Sequence, residues 1–130
     1  MLRGPLAVLV GCMVMFLSTA VVTVALGVAA PDWVSPLGTA PTSFAIVHVL
    51  CGLAFAALGG AVAARLAPTP RHRWVMTMAV IAVLGSVAWT AVSLDTPQPP
   101  WYPWAVPLAT LLGVASGGMW MIRRTEPVDR

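Results

Sequence analysis

Lysine and asparagine are missing from this 130-residue chain, and Gln98 is its single glutamine. Charged residues make up 8% of it, whereas an average soluble domain carries about 25%. So few charges cannot cover a surface that faces water. The four acids, Asp32, Asp95, Glu126 and Asp129, all fall outside the long apolar runs. Proton-coupled transporters need acids within the membrane, so their absence there argues against that class. It also excludes the small four-helix multidrug exporters, which depend on a glutamate in their first helix. Four-helix fluoride channels use asparagine and a series of phenylalanines, and this chain has only Phe16, Phe44 and Phe55. No Ser/His/Asp set, paired carboxylates or phosphate loop is present, so no catalytic residue is expected and the chain does not read as an enzyme. Cys12 and Cys51 form no CxxC pair and lie near no metal-spaced histidines. They read as small apolar residues, and no metal site is expected.

What is abundant is apolar sequence, 59% of the chain. It falls into four runs, at about 5–28, 42–64, 74–94 and 104–122, each close to the roughly 20 residues that cross a bilayer. The connections are too short for a separate soluble domain, so residues 1–130 read as one integral membrane domain. A cleaved leader is the rival reading of the first run, with Val28-Ala29-Ala30 as the cut site. That run is too long for a leader's apolar core of about 7–15 residues, and Pro31 would hinder cleavage.

All seven arginines can be placed on one side of such a membrane. Arg3, Arg65, Arg71, Arg73, Arg123, Arg124 and Arg130 lie in the N-terminus, the middle loop and the C-terminus. The other two loops carry only Asp32 and Asp95 as charges. Positive residues stay cytoplasmic during insertion, which predicts an even number of spans with both ends inside. Two belts of aromatic residues agree: Trp74 and Trp120 at the inner face, and Trp33, Trp101, Tyr102 and Trp104 at the outer. The net charge of +3 therefore reads as topology and lipid-headgroup contact, and no nucleic acid partner is expected. The predicted fold class is all-α: a polytopic membrane protein, an antiparallel four-transmembrane-helix bundle, N-in and C-in.

Apolar side chains cannot drive helices together in lipid, but small residues let backbones approach. In the second span Gly52, Ala56, Gly59 and Ala63 share a stripe. Ala109, Gly113 and Gly117 form another in the fourth. Ala79, Ala82, Ser86, Thr90 and Ser93 share a face of the third, and Gly11, Ser18, Val22, Ala25 and Ala29 a face of the first. The packing residues are expected to be Gly52, Ala56, Gly59, Gly113 and Gly117. A weak internal repeat joins Gly59-Gly60 before Arg65 to Gly117-Gly118 before Arg123. It reads equally as a duplicated hairpin in parallel orientation or as coincidence among glycine-rich helices.

His48 is the one strongly polar titratable side chain well inside a span. Helical geometry puts it within roughly 40° of the Gly52 and Ala56 stripe, facing the interior. An ionisable residue there is a functional candidate. It could ligate haem or chlorophyll, relay protons, or hydrogen-bond a quinone or pigment. The bland alternative is a neutral histidine bonded to a Ser, Thr or carbonyl of the next helix. His72 belongs to the opposite loop and cannot be a second axial ligand. The methionines read as packing.

The stretch Gly59-Gly60-Ala61-Val62-Ala63-Ala64-Arg65-Leu66-Ala67-Pro68, with Pro100-Trp101-Tyr102 after it, resembles small uncharacterised four-span membrane proteins of bacteria. The resemblance covers roughly the C-terminal two-thirds. It implies the same architecture in a bacterial inner membrane and carries no assigned activity. The expected role is an accessory or assembly subunit beside a larger membrane complex, joined to it or to itself through small-residue helix faces. The alternatives are a small oligomeric channel or carrier, and a haem- or chlorophyll-binding protein with His48 as axial ligand.

Overall fold

The computed structural model describes residues 2–29, 42–92 and 98–125. Four helices account for nearly all of them: α1 (Arg3–Ala29), α2 (Thr42–Leu66), α3 (Arg71–Val92) and α4 (Tyr102–Thr125). No strand occurs among the described residues. Asp32, Trp33, Ser93, Asp95 and Arg130, all assigned places by the sequence pattern, lie outside them. The helices hold 27, 25, 22 and 24 residues. At about 1.5 Å per residue each exceeds the roughly 30 Å of a hydrocarbon core. All four are long and apolar enough to cross a membrane.

The helices run past the apolar stretches that announce them. Arg71, His72 and Arg73 begin α3 rather than filling a loop, and Arg65, Arg123 and Arg124 close α2 and α4. Hydropathy marks only the lipid-facing part, whereas backbone hydrogen bonding continues into polar sequence that still forms helix. Between α2 and α3 only residues 67–70 remain, with Pro68 stopping one helix and Pro70 preceding the next. The Thr69–Pro70 bond is cis. Pro107 lies two residues deeper in α4 than the apolar run at 104–122 suggests, because that helix begins at Tyr102.

Packing is inverted relative to a soluble protein. The buried positions are mostly glycine and alanine, including Ala7, Ala45, Ala56, Ala63, Ala64, Ala79 and Ala82. The bulky apolar residues point outward, among them Leu9, Leu17, Val24, Leu50, Leu84 and Leu108. In water that arrangement would forfeit the hydrophobic drive to fold. In lipid it exposes nothing unfavourable and brings backbones close.

The α2–α4 interface is the most extensive, with α1 against α2 and α3 against α4 on its flanks. α2 and α3, though joined by four residues, touch far less. The two glycine pairs build this order. Gly59 abuts Gly11 of α1, and a Cβ placed on it would come within 2.6 Å of the Gly11 carbonyl oxygen. Gly60 instead lies against the Val114 backbone of α4. In α4 the roles are exchanged: Gly117 meets the Ala57 backbone of α2, and Gly118 meets Val75 of α3. Gly113 completes the seam, a Cβ there lying 2.6 Å from Ala56 Cβ. Met78 is fully buried where α1, α2 and α3 meet, filling the gap beside Gly11 and Gly59.

Gly4 sits against Trp74, and Arg71 donates to the Thr125 hydroxyl. These contacts gather Arg3, Arg65, Arg71, Arg73, Arg123 and Arg124 at one end of the bundle. The Arg124 guanidinium lies 4.2 Å from the centre of the exposed Trp120 ring.

Candidate functional site

Towards the other end the small residues give way to bulkier ones, and the helices enclose a cavity of about 620 Å³. Its walls come from the C-terminal halves of α1 and α3 and the N-terminal halves of α2 and α4. Among the described residues that line it, none is charged. Thr19, Thr23, Ser86 and Thr110 line it too, but each donates its hydroxyl proton to a carbonyl of its own helix, at 2.8–2.9 Å. That is the usual way such residues satisfy themselves in an apolar setting. They keep lone pairs and offer no further proton.

The distinctive polar feature is a pair. His48 Nδ1 lies 2.9 Å from the Tyr102 hydroxyl. His48 is six residues into α2, about 9 Å along its axis. Tyr102 opens α4, where its backbone N–H donates to the Pro99 carbonyl at 3.0 Å. The imidazole also stacks on Phe44, with ring centres 5.9 Å apart and planes 23° from parallel. Tyr102 in turn takes the edge of Trp101 at 6.1 Å. Two protons serve this pair in the neutral state, and one is spent between them. If the phenol donates to Nδ1, the ring carries its proton on Nε2. If Nδ1 donates, the phenol keeps a proton to give. Either way the pair offers one hydrogen-bond donor.

His48 therefore has a side-chain partner on α4, where the sequence pointed to a Ser, Thr or carbonyl of the neighbouring helix. Tyr102 was placed in the outer aromatic belt; it is half-buried, while Trp101 and Trp104 are exposed. Being the sole tyrosine, and opening α4 at the same end of the bundle as the start of α2, it carried a signal that depth matching could have read. Among the described residues no group of three His, Cys, Asp or Glu side chains could hold a metal. Cys12 packs beside the core, and neither Cys12 nor Cys51 lines the cavity. An axial histidine oriented through Nδ1 by a hydrogen bond is a common haem arrangement, but the described lining residues include no cation to meet haem propionates.

The packing glycines divide. Ala56, Gly59, Gly113 and Gly117 lie in close helix contacts, whereas a Cβ on Gly52 meets nothing within 4 Å. Gly52 lines the cavity instead. Its place on the stripe is real, but it faces the cavity, while the Leu53 carbonyl beside it still meets Gly113 of α4. Gly52→Leu should thus leave unfolding in detergent within about 0.5 kcal/mol of the parent, as followed by circular dichroism. A large loss would mean the space is filled by protein.

No protein-family model matches this chain, and no curated protein or solved structure does either.

Proposed function

We propose that this is a bacterial inner-membrane protein, an antiparallel four-helix bundle with both ends cytoplasmic, that serves as a non-catalytic accessory subunit of a larger membrane complex. Its part there is to hold a lipid-soluble small molecule. One observation carries the reading: a largely apolar cavity of about 620 Å³ whose described lining holds the neutral hydrogen-bonded pair of His48 and Tyr102. Volumes of 300–1,000 Å³ with few, placed polar groups are typical of small-molecule sites. The orientation is supported by the arginines collected at one end of the bundle. The accessory role is supported by the chemistry of the described lining, which holds no carboxylate and whose Ser and Thr hydroxyls donate to backbone carbonyls and not to His48, an arrangement suited to binding. A molecule kept here would be used by another protein.

A pore through a single chain fits less well. Beyond the cavity the path is closed by Gly60 on the Val114 backbone and by Gly117 on the Ala57 backbone. A channel would have to form between copies. The haem or chlorophyll alternative draws on the His48 ring being oriented through Nδ1.

Purification from native membranes in mild detergent tests the proposal, with the co-eluting proteins and the solvent-extractable small molecules both identified. The expected result is an assembly larger than the chain, carrying an apolar ligand that is lost from His48→Phe. A homo-oligomer with no extractable ligand would overturn it. A visible haem or chlorin spectrum would move the assignment to the cofactor reading.

A further inference from the structure

We infer that the cavity is entered sideways from the lipid between α1 and α3, and that it receives a prenylated quinone whose ring carbonyl accepts a hydrogen bond from the His48–Tyr102 pair. This rests on the ligand-holding role proposed above and names the ligand and its route.

The route follows from which walls are open. α1 and α3 meet closely near the arginines, with Gly4 against Trp74 and Gly11 against Met78. Farther along, the Phe16 ring stands 3.7 Å from where a Gly85 Cβ would be. Beyond that point Thr23 and Val24 of α1 and Trp89 of α3 line the cavity and are also exposed on the outside. Residues that do both border an opening. The lining residues of α2 and α4 are half-buried or buried, so those helices form the back wall. An opening on a helix flank that faces hydrocarbon admits a molecule dissolved in the bilayer.

The ligand class follows from the walls. A phospholipid or fatty acid would bring a negative charge into a site with no arginine among its described lining residues, which is costly. A bare hydrocarbon would leave the pair's donor without an acceptor, also costly. What fits is neutral, apolar over most of its surface, and carries an acceptor at one end. The rings of Phe44 and Tyr102 beside the donor suit a planar head. The pair sits on the back wall, so the head would lie deepest and the tail would leave through the α1–α3 gap. A quinone on an isoprenoid chain meets each requirement.

The test uses the full chain in lipid nanodiscs and a benzoquinone bearing two isoprene units, followed by quenching of tryptophan fluorescence, since Trp89 lines the cavity. The bare isoprenoid chain without the ring serves as competitor. Saturable quenching near one quinone per chain is expected. Its Kd should rise about tenfold in the double variant His48→Phe with Tyr102→Phe, about the worth of one buried hydrogen bond. Gly52→Leu, which narrows the cavity, should abolish saturation. Undiminished affinity in the helical double variant, or equal competition by the bare chain, overturns the quinone assignment and leaves the ligand-holding role standing. If the double variant loses its helicity, Gly52→Leu decides, and unchanged affinity there overturns the assignment. Saturable binding of neither the quinone nor the bare chain overturns both.

Discussion

Gly117→Ala is expected to lower the stability of the folded chain by about 3 kcal/mol or more, the upper range for forcing extra volume into a packed site. The new methyl would enter the space held by the Ala57 carbonyl of α2. A backbone group cannot rotate aside as a flexible side chain would, so relief requires α2 and α4 to separate. That pair is the spine on which α1 and α3 lean, and the loss should therefore spread through the bundle. Unfolding in detergent, followed by circular dichroism, gives the comparison with Gly52→Ala on the open side of α2. Similar behaviour of the two variants would sink the packing scheme. A loss confined to Gly117→Ala would locate the stability of this protein in a few backbone contacts.

Removing the Tyr102 hydroxyl should have the second largest effect. Tyr102→Phe keeps the ring but leaves His48 Nδ1 without the partner it has at 2.9 Å. An unsatisfied polar atom in apolar surroundings costs about 1–3 kcal/mol. Interhelical hydrogen bonds within membranes average about 0.6 and reach about 1.7 kcal/mol. The upper membrane value is expected here, because the cavity's own hydroxyls already spend their protons on backbone carbonyls. His48→Phe, Tyr102→Phe and the double variant form a cycle that isolates the pairwise term. A coupling of about 1–1.7 kcal/mol would show that the bond joins α2 to α4. No coupling would reduce the pair to two neighbours that happen to touch.

How much of this could be read from the chain differs from residue to residue. Four spans were plain because each run of about 20 apolar residues is a local property. Their ends were less plain. Arg71, His72 and Arg73 looked like loop because they are charged or polar, yet they form the first turn of α3. The stripe of Gly52, Ala56, Gly59 and Ala63 was visible as spacing, but spacing does not say what each position meets. Gly59 falls against α1 and Ala56 against α4, whereas Gly52 on the same stripe has nothing within 4 Å. The repeated glycine pairs were visible too, and the structure sets α2 and α4 side by side. It also exchanges the duties of the two glycines, with Gly59 and Gly118 facing the flanking helices and Gly60 and Gly117 facing each other's helix. His48 stood out because ionisable residues inside spans are rare. Tyr102 did not, because a tyrosine beside two tryptophans at a helix start reads as an interfacial anchor.

The sequence by itself determined the helical class, the number of apolar spans and the concentration of arginines at particular helix ends. These follow from composition and short-range periodicity, which act on each segment alone. Only the tertiary structure decided that Tyr102 meets His48, 54 positions away along the chain, that Gly52 faces space, and that the four helices close at one end while opening at the other. Those outcomes depend on where backbones first come into contact. In a protein whose core is glycine and alanine, that point is set by the fit of two helices together and by neither helix alone.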